Sequence, residues 1–493
     1  MGERTNNGKA STGEAFVGTF RIQQLIDAGV LAVGDGYRAK NAELASHGIP
    51  FARAGNIDGG FLFNDADRFP EADLHKVGDK ISRPGDVVFT SKGTVGRFAY
   101  VLPETPRFVF APQLCYWRSL DPNVIDSRFL LYWMHGSEFW EQADSVKGQT
   151  DMADYVSLTD QRRMWITLPP LPEQRAIARV LGGLDDKIEL NRRMNRTLEE
   201  LARGVFRSWF IDFDPVLRRA GGAGGRGLKG GAAGTPGAGT PHAGGLPHHP
   251  ALWPTRLTDS PLGPIPEGWR VGTVGEIGTN PRRGVLPSEV AATTPYVGLE
   301  HMPRRSIALD DWGTAADVSS GKSRFARGEI LFGKLRPYFH KVGVALIDGV
   351  CSTDVIVAAP KKECWFGVLL GHLSSDEFID YVDGASGGTR MPRTSWGDMA
   401  RYQIVIPPEP VAASYSVWMR QVADMLRIQA HESRALAALR DALLPQLLSG
   451  EIRLREAERA VDDALQTTSP PPRAGGNGSP RSGKVAGTVK GRA

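Results

Sequence analysis

Two stretches of the chain carry apolar residues in steps of three and four. In the first they fall at Ile177, Leu181, Leu184 and Ile188, then at Met194, Leu198, Leu201, Val205 and Trp209. In the second they fall at Trp418, Val422, Met425, Leu436, Leu439, Leu443 and Leu447, with Gln429 and Ser433 interrupting the rhythm. This spacing puts the apolar residues on one stripe of a helix and predicts two long helices, each with a seam for another helix. Asn191 stands where the first seam breaks. Two positions fit it equally: facing solvent, or inside the seam, where a polar residue costs stability but fixes register. Asp185-Asp186-Lys187 reads as exposed helix surface. Pro445 should kink or end the second helix near Leu444.

Each helix follows a Pro-Pro pair, and each pair closes a globular section of mixed pattern. Short β-type runs occur at 86–90 and 330–332, among glycine and proline punctuation, and helical stretches at 127–141 and 366–382. The two sections repeat each other in order. Ile49-Pro50-Phe51 answers to Thr294-Pro295-Tyr296, and Gly85-Asp86-Val87-Val88-Phe89 to Gly328-Glu329-Ile330-Leu331-Phe332. Ser137-Glu138-Phe139 answers to Asp376-Glu377-Phe378, and Ile166-Thr167-Leu168-Pro169-Pro170 to Ile404-Val405-Ile406-Pro407-Pro408. The offset drifts only from 245 to 238, which marks a duplication. The fold expected is a duplicated α/β (α+β) domain with two long spacer helices. The boundaries are 1–168 for the first domain, 169–213 for the first helix, 214–261 for a Gly/Pro-rich linker, 262–408 for the second domain, 409–452 for the second helix and 453–493 for a basic disordered tail.

Composition changes this picture little. A chain of 493 residues with 41% hydrophobic residues and eleven tryptophans has material for several cores. Gly221–Gly245 holds twelve glycines in twenty-five residues, a flexible linker with a root-mean-square span of roughly 25–30 Å. His242, His248 and His249 beside it read as solvated. Cys115, Cys351 and Cys364 have no CxxC spacing and read as buried thiols of a reducing compartment. No apolar run approaches eighteen residues, so a cytoplasmic protein is expected. The net charge of +4 belongs to the tail: after Asp463 come five bases and no acid, and without them the rest stands at −1. Overall charge therefore says little about nucleic acid, and local clusters must carry that case.

The central run Leu-Pro-Pro-Leu-Pro-Glu-Gln-Arg-Ala-Ile-Ala (168–178), with Leu-Asp-Asp-Lys-Ile-Glu-Leu-Asn-Arg-Arg (184–193) and Ser-Trp-Phe-Ile-Asp-Phe-Asp-Pro-Val (208–216), closely resembles the central region of type I restriction–modification DNA-specificity subunits. Gly34–Lys40 looks like the start of that family's first domain, Leu262–Trp269 like the entry to its second, and Leu439–Glu451 like its distal helix end. The resemblance spans about residues 16–455. Two features depart from it: the long, simple glycine linker, and Glu409-Pro410-Val411 in place of Pro-Leu-Pro-Glu-Gln. It implies two target-recognition domains on double-stranded DNA, each reading half of an asymmetric site, held by an antiparallel coiled coil that also docks partners. Forty helical residues, 171–210, would make a strut of ~60 Å. The implied partners are two modification subunits, which use S-adenosylmethionine to methylate adenine at N6, and two restriction subunits, which use ATP and magnesium. No cofactor is expected in this chain, and no membrane.

Contacts to DNA need Lys or Arg for phosphates, and Arg, Gln, Asn, Ser or Thr for base edges. Two loops recur in both halves. One holds Lys92, Thr94 and Arg97, answered by Lys334 and Arg336. The other holds Gln149 and Thr150, answered by Thr389, Arg390 and Arg393. Each admits two readings, a DNA contact or an ordinary surface turn with solvated bases; Gln149 and Arg390 suit adenine and guanine respectively. Catalytic patterns are not found. Ala316 stands where a P-loop before Gly321-Lys322-Ser323 needs glycine, Asp212 and Asp214 have no third acid in view, and no HExxH occurs.

Overall fold

The computed structural model describes residues 16–57, 60–63, 66–147, 154–221, 252–386 and 391–468. It forms two compact units. One comprises 1–182 with 442–493, the other 183–441, so the division cuts both long helices.

In the first unit, strand Gly18–Arg21 pairs antiparallel with Trp165–Leu168, bringing the start and finish of the first repeat together. An antiparallel sheet runs in the order 31–35, 114–119, 87–90, 98–100. Its strand Val87–Thr90 is buried along its whole length, as its β-branched and aromatic run requires. A smaller sheet pairs Ile49–Ala52 antiparallel with Arg68–Phe69 and parallel with Val109–Phe110. Helices Ser127–His135 and Ser137–Val146 follow, the first capped by Asp126, whose side chain accepts from the backbone of Arg128 and Phe129.

The second unit repeats this plan. Arg270–Thr273 pairs with Gln403–Ile406, and a four-stranded sheet has the order 278–279, 355–360, 330–333, 342–344. Pro295–Val297 is again antiparallel to one neighbour and parallel to the other, Gly349–Cys351. Helices Phe366–Leu373 and Asp376–Gly384 replace the single stretch expected there. Even a capping box recurs, Ser157 with Asp160 and Ser395 with Asp398. The mixed α/β fold is duplicated.

The first long helix is Leu171–Phe210 and the second Glu409–Ser449. Pro445 does not end the second; four further residues stay helical. Within the second unit the helices run antiparallel. Asp185 meets Arg440 at 2.7 Å, Asn191 meets Glu432 at 2.8 Å, and the Tyr415 hydroxyl donates to the Ala202 carbonyl at 3.2 Å. Ile177, Leu181, Leu184, Ile188, Val205, Val422, Leu436 and Leu443 are buried as expected, and Leu198 and Leu439 partly so. Leu201 (39% exposed) and Met425 (42%) are not in the seam. From Ile188 the buried positions are 191, 195, 199, 202 and 205. Helical phase thus puts Asn195, Glu199 and Ala202 inside, where matching apolar letters had chosen Met194 and Leu201; Leu426 likewise takes the place of Met425. The Asp185-Asp186-Lys187 surface is also corrected: Asp185 and Lys187 are part-buried in ion pairs with Arg440 and Glu432.

The motif Ser208–Phe210 enters an aromatic core. Trp209 packs edge-on to Trp253 at 5.1 Å, and Phe210 meets Tyr415 at 5.1 Å. Both ends of the expected 214–261 linker are therefore structured: Asp214–Gly221 is helical, and Leu257–Thr258 pairs with Ile265–Pro266. Leu454–Thr468 is a helix within the expected tail. Cys115 and Cys351 are buried and Cys364 partly so; burial pushes the Cys351 thiol up to about 12. Among the described residues, no helix is long and apolar enough to cross a membrane.

Candidate nucleic-acid interface

In both repeats the first recurrent loop is hydrogen-bonded to the described residues that follow the second. In the first, Gly93 N donates to the Asp154 carbonyl (3.0 Å) and Val156 N to the Ser91 carbonyl (2.9 Å). In the second, Arg336 N donates to the Pro392 carbonyl (2.8 Å) and Thr394 N to the Lys334 carbonyl (3.1 Å). The same two-residue ladder thus ties the hairpin after each buried strand to the segment after each second loop.

Lys92, Thr94 and Arg97 are exposed around this ladder. The Lys92 ammonium sits 5.8 Å from the centre of the Tyr155 ring, and Arg97 reaches the Ile57 carbonyl at 3.5 Å. In the second repeat Lys334 and Arg336 are half-buried and Arg393 is exposed, 3.5 Å from Asp354. Gln149, Thr150, Thr389 and Arg390 lie outside the described residues. The first hairpin stands on a buried ion pair. Arg118 donates to both Asp86 oxygens at 2.6 and 2.7 Å, at the foot of strand Val87–Thr90. Burial is the larger influence on the Asp86 carboxyl and raises its pKa, against the lowering effect of Arg118.

Several positioning residues escape the sequence reading. Gln174 is buried at the start of the first long helix; it accepts from Asp126 N (3.0 Å) and donates to the carbonyls of Val124 and Pro169. It belongs to the Leu-Pro-Glu-Gln run, and the second repeat, lacking that run, uses Ser416 instead, which accepts from Gly367 N at 2.9 Å and donates to the Cys364 carbonyl. Glu199 accepts from Ser306 Oγ (2.7 Å) and from the backbone of Ile307 and Ala308 (3.1 Å each), fastening the second repeat to the first long helix. Burial, the largest influence, still raises its pKa. Its spacing of four from Asn195 and eight from Asn191 was the available signal.

Asp212 and Asp214 are engaged by Arg207 and Ser208 respectively. Among the described residues, no three His, Cys, Asp or Glu side chains are grouped to hold a metal ion. What the loops offer is paired tips bearing cations, hydroxyls and aromatic rings, the side-chain types that meet phosphates and base edges.

Residues 19–200 match the model of a protein family described as the type I restriction modification DNA specificity domain. The type I restriction enzyme MjaIX specificity subunit of Methanocaldococcus jannaschii is 22% identical over 453 residues, covering 88% of this chain and 94% of that protein. The HindI specificity subunit of Haemophilus influenzae is 22% identical over 77% of this chain and 89% of its own length. A crystal structure of the S subunit of a type I restriction-modification system from M. genitalium aligns with a TM-score of 0.47 at 14% identity, covering 87% of this chain and 95% of that one. The matched segment and both relatives are of one kind: residues 19–200 resemble a type I restriction modification DNA specificity domain, and most of the chain is similar to specificity subunits of type I restriction enzymes.

Proposed function

We propose that this chain reads a bipartite, asymmetric site on double-stranded DNA, one half-site per repeat, and makes no bond itself. The paired loops carry the reading: one scaffold position, built twice, holds Lys92, Thr94 and Arg97 in one repeat and Lys334, Arg336 and Arg393 in the other. A conserved frame with divergent tips suits two readers with different letters. Duplication relates the readers, as protein symmetry relates half-sites in helix-turn-helix dimers. The long helices serve as spacer and docking surface for two modification and two restriction subunits. Adenine-N6 methylation with S-adenosylmethionine, and cleavage driven by ATP and magnesium, are assigned to those partners.

The test is a swap of residues 14–165 for those of a relative, followed by mapping of N6-methyladenine in a host carrying the complete system. One half-site should change while the other half-site and the spacer persist. Alteration of both halves would refute independent readers.

A further inference from the structure

The two repeats meet the same backbone requirement with different residues. In the first, the loop from Val87–Thr90 to Phe98–Tyr100 turns through Gly93 (φ +86°) and Gly96 (φ +100°). In the second, the loop from Ile330–Gly333 to Val342–Val344 turns through Arg336 and His340, each at φ +51°. Hydrogen bonds establish the correspondence. Gly93 and Arg336 donate to Asp154 and Pro392, the same rung of the ladder; Thr90 N donates to the Arg97 carbonyl and Gly333 N to that of Lys341, so Gly96 and His340 each precede the closing residue.

Left-handed backbone is free for glycine and costly for a residue with a Cβ. Two of the four positions have local explanations. A Cβ at Gly96 would lie 2.3 Å from the Trp140 ring, and His340 is buried with Nε2 2.9 Å from the Ser374 carbonyl. Arg336 has no such anchor. Its counterpart Gly93 has open space where a Cβ would stand, so the turn itself asks only for glycine. The arginine side chain is nevertheless held. Its Cζ is 5.9 Å from the centre of the Phe339 ring, which also carries Arg304 at 4.1 Å. Its Nε is buried and has no hydrogen-bond partner among the described residues. Tyr338, beside it in the turn, is 49% exposed. A strained residue that glycine would relieve, kept at a partly open tip, marks a side chain retained for what it contacts.

We infer that Arg336 is a specificity-determining residue of the second repeat, its guanidinium set beside Phe339 to pair with a guanine edge of the second half-site. The inference rests on the DNA-reading assignment above. Arginine is the residue that grips guanine O6 and N7 with two donors at once, and a guanidinium fixed in advance does so with less loss of freedom.

The full chain, co-expressed and purified with its modification subunits, is tested against a randomised duplex library as wild type, R336G and R336K, with thermal unfolding of each. R336G should unfold at or above the wild-type temperature, select the same first half-site, and lose a guanine preference of roughly ten- to hundredfold at one position of the second. R336K should keep most of the affinity and lose the same preference. An unchanged motif overturns the inference. So does a uniform loss of affinity with the motif kept, which marks a phosphate contact, and so does a less stable R336G, which marks a structural residue. A wild-type complex that selects no bipartite motif removes the DNA-reading assignment itself, and the inference with it, before any variant is compared.

Discussion

His372 lies on helix Phe366–Leu373, fully enclosed, with its ring edge-on to Phe206 at 5.0 Å. Burial alone lowers its pKa to about 3. The unfolded chain binds a proton below about 6.5 while the folded chain does not, so stability falls as pH drops through that value and keeps falling towards 3. The contribution is about 1.4 kcal/mol per pH unit in that window. His372→Leu should flatten this part of the stability curve, most cleanly between pH 6.5 and 4.5, before most carboxylates titrate; a chemical-unfolding series across pH reads it. His340, also lowered by burial, titrates in the same sense and leaves a residual slope. Little of this was visible in the sequence. A histidine between Gly371 and Leu373 looks like any other, and only the aromatic motif at 206–210, folded against it from far along the chain, makes its surroundings apolar. The loop bases were easier, because a glycine and a lysine follow the buried strand in both halves, although the ladder aligns Lys334 with Ser91 and not with Lys92. Their attachment to residues 154–156 and 392–394 depends on hydrogen bonds that no residue pattern states.

The paired helices show how far periodicity reaches. Steps of three and four identified both helices and most of the buried stripe, yet the middle of the seam is polar. Asn191, 1% exposed, donates to Glu432 at 2.8 Å and to Ser433 at 3.2 Å, and Lys187 meets the same carboxylate at 3.1 Å. Of the two positions open to Asn191, the structure selects the seam. A hydropathy pattern reads such residues as a break, since it counts transfer from water and not partners supplied by another helix. Glu432→Leu should destabilise the second unit by ~1–3 kcal/mol, because it leaves the buried Asn191 amide with Ser433 alone and takes the carboxylate from Lys187. Asn191→Leu combined with Glu432→Leu should recover most of that loss while weakening register. Denaturant unfolding checks the first expectation. Disulfide trapping between helix positions one turn out of register checks the second.

At the scale of the whole molecule, duplication was legible because short blocks kept their order, and the two units share a closing strand pair and a four-stranded sheet, while the three-stranded sheet of the first is matched by a five-stranded one in the second. The assignment of chain to units was not legible: linear boundaries imply that what is contiguous packs together, whereas residues 442–468 belong with the first repeat. Leu443, Leu447, Ala457 and Val461 are buried there, and Leu448 lies against Gly136, so close that a Cβ on that glycine would stand 2.5 Å from its methyl. A chain stopped after residue 441 should therefore lose protection in the first unit, read by hydrogen exchange, while the second unit keeps its own. The ribosome faces the same truncation on every round of synthesis. At about 5–20 residues per second, the segment that completes the first unit emerges roughly 15–50 s after helix residue 182. For that interval the earliest part of the chain to be made waits, its surface for 442–461 uncovered, while the second unit is finished before it. This protein is thus exposed to capture by chaperones, proteases or a second nascent copy at its oldest segment, and slowing translation beyond residue 182 would lengthen that exposure.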